Sequence, residues 1–356
     1  MNKKLNKFWR IKRYILTTEG HPHRCSQILN LIRYKFSKKS IILRYDPITL
    51  SIASTDRCNL NCDMCHAHSK HIGDFEFKHK STIDVNFDLF KDFVNKFNKA
   101  LDITIIGSGE PLLNIDFFKM VDYGTRIMKM NVSTNTNGVL LEKAIIEKII
   151  SSRLSQITIS VNGDNQEEFH RITGMPIEIY RRIIENINSL VSKKIQTKSK
   201  ITVGLNFIID KENYRRIPLI IELCEKLCVD SVYLINFLPT PFPGFTADER
   251  CLKDNDIEAM DFINNLKKKK YKVDVVWPVL LDNNKRKICE QHFTTMRLDG
   301  DGNIGGCAVM LLNLERNGKY SDKNVWNNRY FKLTRSIFLD HKIDRRPEPC
   351  KICSRS

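Results

Sequence analysis

The 356 residues suffice for one large domain with a smaller one attached, and 42% of them are hydrophobic, an ordinary share for a soluble chain. No uninterrupted apolar stretch approaches the roughly 20 residues that span a bilayer, and the start shows no apolar core or small-residue cleavage site of a leader, so a cytoplasmic chain is expected. The net charge is +17, and eleven cysteines in such a chain point to metal binding rather than to a disulfide framework.

The charge is concentrated at the start. Residues 1–45 carry twelve Lys or Arg against the single acid Glu19. Phe8, Trp9, Ile11, Tyr14, Ile15 and Leu16, then Ile28, Leu29, Leu31, Ile32, Tyr34 and Phe36, recur among those charges and predict two short amphipathic helices. Such a basic arm suits an anionic membrane surface, RNA, or an acidic or phosphorylated substrate. It equally suits a solvated arm packed on the rest of the chain.

From residue 46 short apolar runs alternate with amphipathic helical stretches. Strands are predicted at 48–53, 101–106, 130–134, 156–161, 201–209 and 231–236, with helices at 84–99, 114–128, 141–151, 177–194, 213–227 and 254–269. Six βα units over 46–240 predict an α/β fold, a partial (βα)6 TIM-type barrel with its reactive groups on loops at the carboxyl ends of the strands. Residues 241–285 read as a connecting helix and strand segment, with a rigid Pro239-Thr240-Pro241-Phe242-Pro243-Gly244 link at its start. Residues 286–356 read as a small C-terminal α+β domain.

The first of those loops is Cys58-Asn59-Leu60-Asn61-Cys62-Asp63-Met64-Cys65, three soft ligands directly after a strand. Three thiolates complete neither a tetrahedral zinc site nor a four-thiolate iron–sulfur cluster, so one metal corner stays open for an exogenous ligand. His66 and His68 are the near candidates for a fourth zinc ligand, and Cys62-Asp63-Met64-Cys65-His66 also has the spacing of c-type haem attachment, which requires export. His66, His68, His71 and His79 fill a polar loop that reads as a solvated insertion or as proton-transfer groups. The second strand runs into Gly107-Ser108-Gly109-Glu110-Pro111, whose glycines let backbone approach a ligand and whose carboxylate can pair with an ammonium. The third ends in Ser133-Thr134-Asn135-Thr136-Asn137-Gly138 and the fourth in Ser160-Val161-Asn162-Gly163.

A second cysteine set follows. Cys289 precedes a predicted hairpin over 293–306 with a Gly-rich turn, which returns Cys307 beside it; a helix near 328–339 and Cys350-Lys351-Ile352-Cys353 close the set. Four thiolates suit structural zinc or a fully ligated iron–sulfur cluster, and spacing does not separate the two.

The cysteine loop and the Gly-Ser-Gly-Glu-Pro loop together resemble the radical S-adenosylmethionine (radical SAM) enzymes, with Met64 where relatives usually carry an aromatic residue and Ser108 where they carry glycine. The resemblance implies a [4Fe-4S] cluster on Cys58, Cys62 and Cys65 whose unique iron is chelated by SAM. It implies a SAM pocket of Met64, Gly107, Ser108, Gly109, Glu110, Ser133, Asn135 and Ser160. Asn162 replaces the usual Asp of the fourth segment, and Thr173 stands where relatives often have Arg, leaving Arg171, Arg181 or Arg182 for the SAM carboxylate. The second set resembles a twitch domain, the shortened SPASM form, with an auxiliary [4Fe-4S] cluster on Cys289, Cys307, Cys350 and Cys353. The function implied is an iron–sulfur oxidoreductase that makes a 5′-deoxyadenosyl radical, abstracts a substrate hydrogen and passes the second electron to the auxiliary cluster, served by a flavodoxin- or ferredoxin-type donor. A sugar- or aminocyclitol-like alcohol is the favoured substrate, and a peptide or protein the alternative. An RNA-modifying radical enzyme and a zinc-stabilised nucleic-acid-binding protein rank below these.

Overall fold

A computed structural model of the chain describes residues 23–65, 67–71, 83–237, 247–281, 288–307 and 317–340, with 346, 350 and 353. The first arm helix, His66, His79 and the proline-rich link lie outside those residues.

The six predicted apolar runs form six parallel strands: β1 (Thr49–Ala53), β2 (Asp102–Ile106), β3 (Asn131–Thr136), β4 (Gln156–Ser160), β5 (Thr202–Ile209) and β6 (Ser231–Asn236). Alternate residues explain why they pack. Leu50, Ile52, Ile103, Ile105, Val132, Ile157, Ile159, Val203, Leu205 and Val232 face the helices and are fully buried, each burial stabilising by about 1.5–3 kcal/mol. The residues between them face the concave side and are polar. There the Ser133 hydroxyl lies 3.3 Å from Thr104 Oγ1, and Gln156 Nε2 donates to Thr158 Oγ1 at 3.2 Å and to the Tyr233 hydroxyl at 2.6 Å. Parallel strands thus bury one apolar face under helices and leave a hydroxyl- and amide-lined hollow on the other.

Among the described residues the sheet has nine strands in the order β7-β6-β5-β4-β3-β2-β1-β8-β9 and stays open. β7 (Asp274–Val276) extends it beyond β6. At the other edge β8 (Thr295–Leu298) lies parallel to β1, and β9 (Ile304–Gly305) folds back antiparallel on β8. The C-terminal hairpin expected from sequence is therefore present, and its first strand continues the barrel sheet.

The helices follow their apolar spacing. Phe90, Phe93 and Val94 bury one stripe of Phe87–Lys96, which Asn86 caps by accepting from Leu89 N; Ile183, Ile187, Leu190 and Val191 do the same along Ile177–Gln196. Two segments differ from expectation. The stretch predicted as one helix over 114–128 is α-helical only at Phe117–Asp122 and passes into a π turn at Tyr123–Ile127. Residues 166–173, without a predicted element, form a helix capped by Asn165 and ended by Gly174. The second arm helix is present as Arg24–Phe36. It is fixed by buried Gln27 and Asn30, whose amides reach the backbone oxygens of Asn98, Asp46 and Lys99, while Leu29, Ile32 and Phe36 remain exposed.

A strap ties the chain's beginning to its end. Asn327 takes Leu43 N and donates to Leu43 O, Trp326 Nε1 donates to Tyr45 O at 2.9 Å, and the Tyr45 hydroxyl reaches Phe293 O. Arg335, buried in the Arg329–Leu339 helix, donates to the backbone oxygens of His292 and Ile41 and to Asn327 Oδ1.

Candidate active site

The cysteine loop leaves the carboxyl end of β1 and the glycine loop leaves β2, and the two are clasped backbone to backbone. Gly109 N donates to Thr55 O at 3.1 Å and Glu110 N to Arg57 O at 2.8 Å. A side chain at Gly109 would place its Cβ 2.0 Å from Arg57 O, and at Gly107 2.3 Å from Thr55 O, so the contact itself demands glycine. The far side of the cysteine loop rests on the end of the 166–173 helix: Asp63 N donates to Thr173 O, and Gly174, at φ +67°, leaves room for the Asp63 carboxylate where a Cβ would overlap it. Within the loop Cys65 N turns back to Cys62 O at 2.9 Å.

Three thiols held this way resist ionising alone. Burial pushes Cys62 up to about 12, with the neighbouring Cys65 and Cys58 adding to the rise, and burial likewise raises Cys58 and Cys65. They are mutual electrostatic neighbours, yet among the described residues no three His, Cys, Asp or Glu side chains converge on a point suited to a single metal ion. Thiolates around one tetrahedral zinc stand about 3.8 Å apart, whereas a four-iron cluster takes each thiolate on a different iron and needs a wider set.

Glu110 is 2% exposed, and its carboxylate is spent inside the protein. It accepts from the Thr136 hydroxyl and Asn137 N, both at 2.7 Å, and from Leu112 N at 3.2 Å; burial raises its pKa and those hydrogen bonds oppose the rise. Asn137 then reaches across to the cysteine loop, Nδ2 donating to Asn59 Oδ1 at 2.7 Å and to Cys58 Sγ at 3.9 Å. Asn137 was not among the residues singled out from the sequence. Its place in the Thr-Asn-Gly ending of β3 was the available signal.

Ser133, Asn135 and Ser160 share the concave face, in register with Thr104, Thr158 and Asn206 respectively. Among the described residues the Ser108 hydroxyl is buried without a partner, as are the side-chain oxygens of Asn162 and Asn206. Met64 is half-buried in the cysteine loop. Of the arginines considered for a carboxylate, Arg171 is held by Glu168, Asp210 and Glu212, and Arg182 by Glu142, so neither is unspent. A cation that sequence reasoning missed lies elsewhere: Arg297 on β8 is 1% exposed, gives Nη1 to Ser51 Oγ at 3.2 Å and, among the described residues, has no partner for Nε. Burial pulls it down to about 10 against the opposing effects of Cys307, Asp56 and Asp299.

The second cysteine set is also brought together. Burial pushes the Cys350 thiol up, and Cys307, Cys289 and Cys353 add to the rise while Arg346 opposes it. Cys353 N donates to Cys350 O across the terminal turn, and Cys289 and Cys350 are each 6% exposed. No disulfide joins any of the eleven cysteines.

Residues 52–224 match the family model of the Radical SAM superfamily. That stretch is a radical SAM domain. Radical SAM enzymes use a [4Fe-4S] cluster and SAM, and the donor set here, three soft thiols on one loop with an open side, fits such a cluster. Among curated relatives, a probable GTP 3′,8-cyclase of Saccharolobus islandicus is 30% identical over 195 residues, covering 53% of this chain and 57% of that protein. The chain therefore spans somewhat over half the length of the first such relatives. A probable GTP 3′,8-cyclase of Methanococcus aeolicus is 29% identical over 278 residues, covering 73% of this chain and 85% of that one. Two solved radical SAM structures share the fold. SuiB of Streptococcus suis bound to S-adenosylmethionine superposes with a TM-score of 0.64 at 16% identity, over 99% of this chain and 82% of that one. The enzyme anSMEcpe with bound AdoMet gives 0.61 at 15%, over 86% and 89%. No helix among the described residues is long and apolar enough to cross a membrane.

Proposed function

We propose that this radical SAM enzyme is an oxidoreductase with two clusters, one on Cys58, Cys62 and Cys65 and an auxiliary one on Cys289, Cys307, Cys350 and Cys353. When bound, the first cluster supplies the electron that cleaves SAM and so generates the 5′-deoxyadenosyl radical. The observation that carries the reading is the clasp between the cysteine loop and the glycine loop, with Glu110 and Asn137 locking the β3 ending to Cys58.

In this reading the chain's residues bind and orient. Gly107, Ser108 and Gly109 present backbone and a buried hydroxyl to the methionine part of SAM, and Ser133, Asn135 and Ser160 present polar groups from the concave face. Glu110 acts from behind, fixing Asn137 and the loop rather than offering a spare carboxylate. The polar hollow is a place for a hydroxyl-rich substrate, which supports dehydrogenation of a sugar- or aminocyclitol-like alcohol, the second electron passing to the auxiliary site. Both SuiB and anSMEcpe have been crystallised with peptides, SuiB with the precursor SuiA, which keeps a peptide substrate as the second reading. The GTP named for the curated relatives is a third hydroxyl-bearing substrate to include in a screen.

The test is anaerobic reconstitution with iron and sulfide counted and 5′-deoxyadenosine assayed after SAM and dithionite. About eight irons are expected for two four-iron clusters. Cys58→Ala should abolish SAM cleavage, and Cys350→Ala should spare cleavage while stopping product. Zinc in place of iron, or full product from Cys350→Ala, refutes the assignment.

A further inference from the structure

Arg297 sits between the two cysteine sites. On one side β8 pairs in register with β1, Arg297 opposite Ser51, and two residues beyond Ser51 the strand ends at Ala53 and the chain runs through Thr55 into the cysteine loop. On the other side Arg297 is opposite Gly305 of β9, two residues before Cys307, and the Cys307 thiol lies within electrostatic range of the guanidinium. Among the described residues, Arg297 is the one Lys or Arg at an inward-facing strand position from β1 to β8.

Its surroundings are acidic but do not consume it. Cys307, Asp56 and Asp299 lie at electrostatic range. The Asp299 carboxylate is taken by its own turn, accepting from Asp301 N at 3.0 Å, Asn303 N at 2.8 Å and Asn303 Nδ2 at 3.0 Å. Among the described residues the guanidinium makes one hydrogen bond, to Ser51 at 3.2 Å, and keeps Nε without a partner although it is 1% exposed. A purely structural arginine at such depth would be expected to satisfy its fork, because an unmet buried donor costs about 1–3 kcal/mol.

We propose that Arg297 sets the reduction potential of the auxiliary cluster. The inference rests on the reading of Cys289, Cys307, Cys350 and Cys353 as the ligands of that cluster. A cluster gains a negative charge on reduction, and a cation fixed beside one of its ligands, out of reach of water and salt, stabilises the reduced form. Arg297 therefore makes the cluster a better electron acceptor, which is the property that a site receiving the substrate's second electron requires. The same guanidinium offsets the thiolate charge collected in a buried hairpin.

The experiment is an EPR-monitored redox titration of the SAM-bound, reconstituted full chain, in which SAM sets the signal of the first cluster apart from that of the second. At the wild-type midpoint of the auxiliary cluster, Arg297→Gln should lower the reduced-to-oxidised ratio at least tenfold, which for a one-electron couple is about 59 mV. Arg297→Lys, which keeps the charge, should stay within about threefold of wild type. A Gln variant within threefold of wild type, or a Lys variant shifted as far as the Gln one, overturns the proposal. Iron counting separates the two failures: a wild-type chain with about four irons refutes the auxiliary cluster itself, whereas about eight irons with an unmoved potential refutes only the role of Arg297. Where the Gln variant keeps only four irons, the Lys variant decides: a near-native ratio supports the proposal and a tenfold shift overturns it.

Discussion

Gly109→Ala is the sharpest test of the clasp between the two loops. The added methyl would lie 2.0 Å from Arg57 O, 2.5 Å from Arg57 C and 2.8 Å from Arg57 N, all backbone atoms that cannot rotate away. The loops must part, which breaks Gly109 N to Thr55 O and Glu110 N to Arg57 O. Two hydrogen bonds at about 1 kcal/mol each, together with about 1–3 kcal/mol for overpacking, give a loss of about 3–5 kcal/mol. Gly124→Ala is the matched control, because its methyl meets only Val132 Cγ2 at 2.8 Å and Ile103 Cδ1 at 3.0 Å, ends of side chains that can shift. Urea unfolding and 5′-deoxyadenosine formation should be measured on both variants. Gly109→Ala is expected to lose both stability and SAM cleavage, and Gly124→Ala to lose about 1 kcal/mol and keep cleavage. A Gly109→Ala protein as stable and as active as wild type would refute the clasp.

Two further outcomes concern the C-terminal part. Burial, reinforced by the Arg335 charge, holds the His292 imidazole down at about 3, so between there and pH 6.5 the unfolded chain binds a proton that the folded chain does not. Stability from this group is complete above about pH 6.5 and falls by about 1.4 kcal/mol per unit as the pH drops below it. Both ring nitrogens lack partners among the described residues and the ring stacks on Phe338, so His292→Phe should flatten that slope without loss at pH 7; equal urea midpoints for wild type and variant at pH 5.5 and pH 7 alike would contradict it. Arg335→Ala strips donors from His292 O, Ile41 O and Asn327 Oδ1 and removes a guanidinium 4.3 Å from the Trp326 ring, at a cost of about 3 kcal/mol or more in chemical denaturation. A loss under about 1 kcal/mol would show that the strap holds without it.

Much of the barrel was legible because strands of five to eight residues carry apolar side chains at alternate positions, and their observed bounds lie within one or two residues of those expected. The 166–173 helix was missed because its sequence, QEEFHRIT, offers only Phe169 and Ile172 as an apolar stripe, although Asn165 and Gly174 carried the cap signals at its ends. β7, three residues long, falls within the helix and strand segment expected over 241–285, but so short a run gave periodicity nothing to bound it by. The partnership of β8 with β1 was invisible, since pairing between distant segments leaves no local pattern. At the site, cysteine and glycine spacing is legible because ligand chemistry and close backbone approach allow few residue types. Asn137 and Arg297 were not legible for the opposite reason. An asparagine in a turn and a single arginine in an alternating strand have ordinary solvent-facing explanations, and only the fold shows that one touches Cys58 and the other is buried.

The position of β8 beside β1 also governs how the chain must be made. Ser51 and Arg297 are 246 residues apart, and at about 5–20 residues per second a ribosome needs roughly 12–50 s between them. During that interval β1, with Leu50 and Ile52 apolar on one face, presents an unsatisfied strand edge next to the loop proposed to hold the first cluster. Synthesis of this enzyme should therefore depend on protection of the nascent edge. Truncations that stop short of residue 298 are expected to aggregate rather than to yield a free-standing barrel.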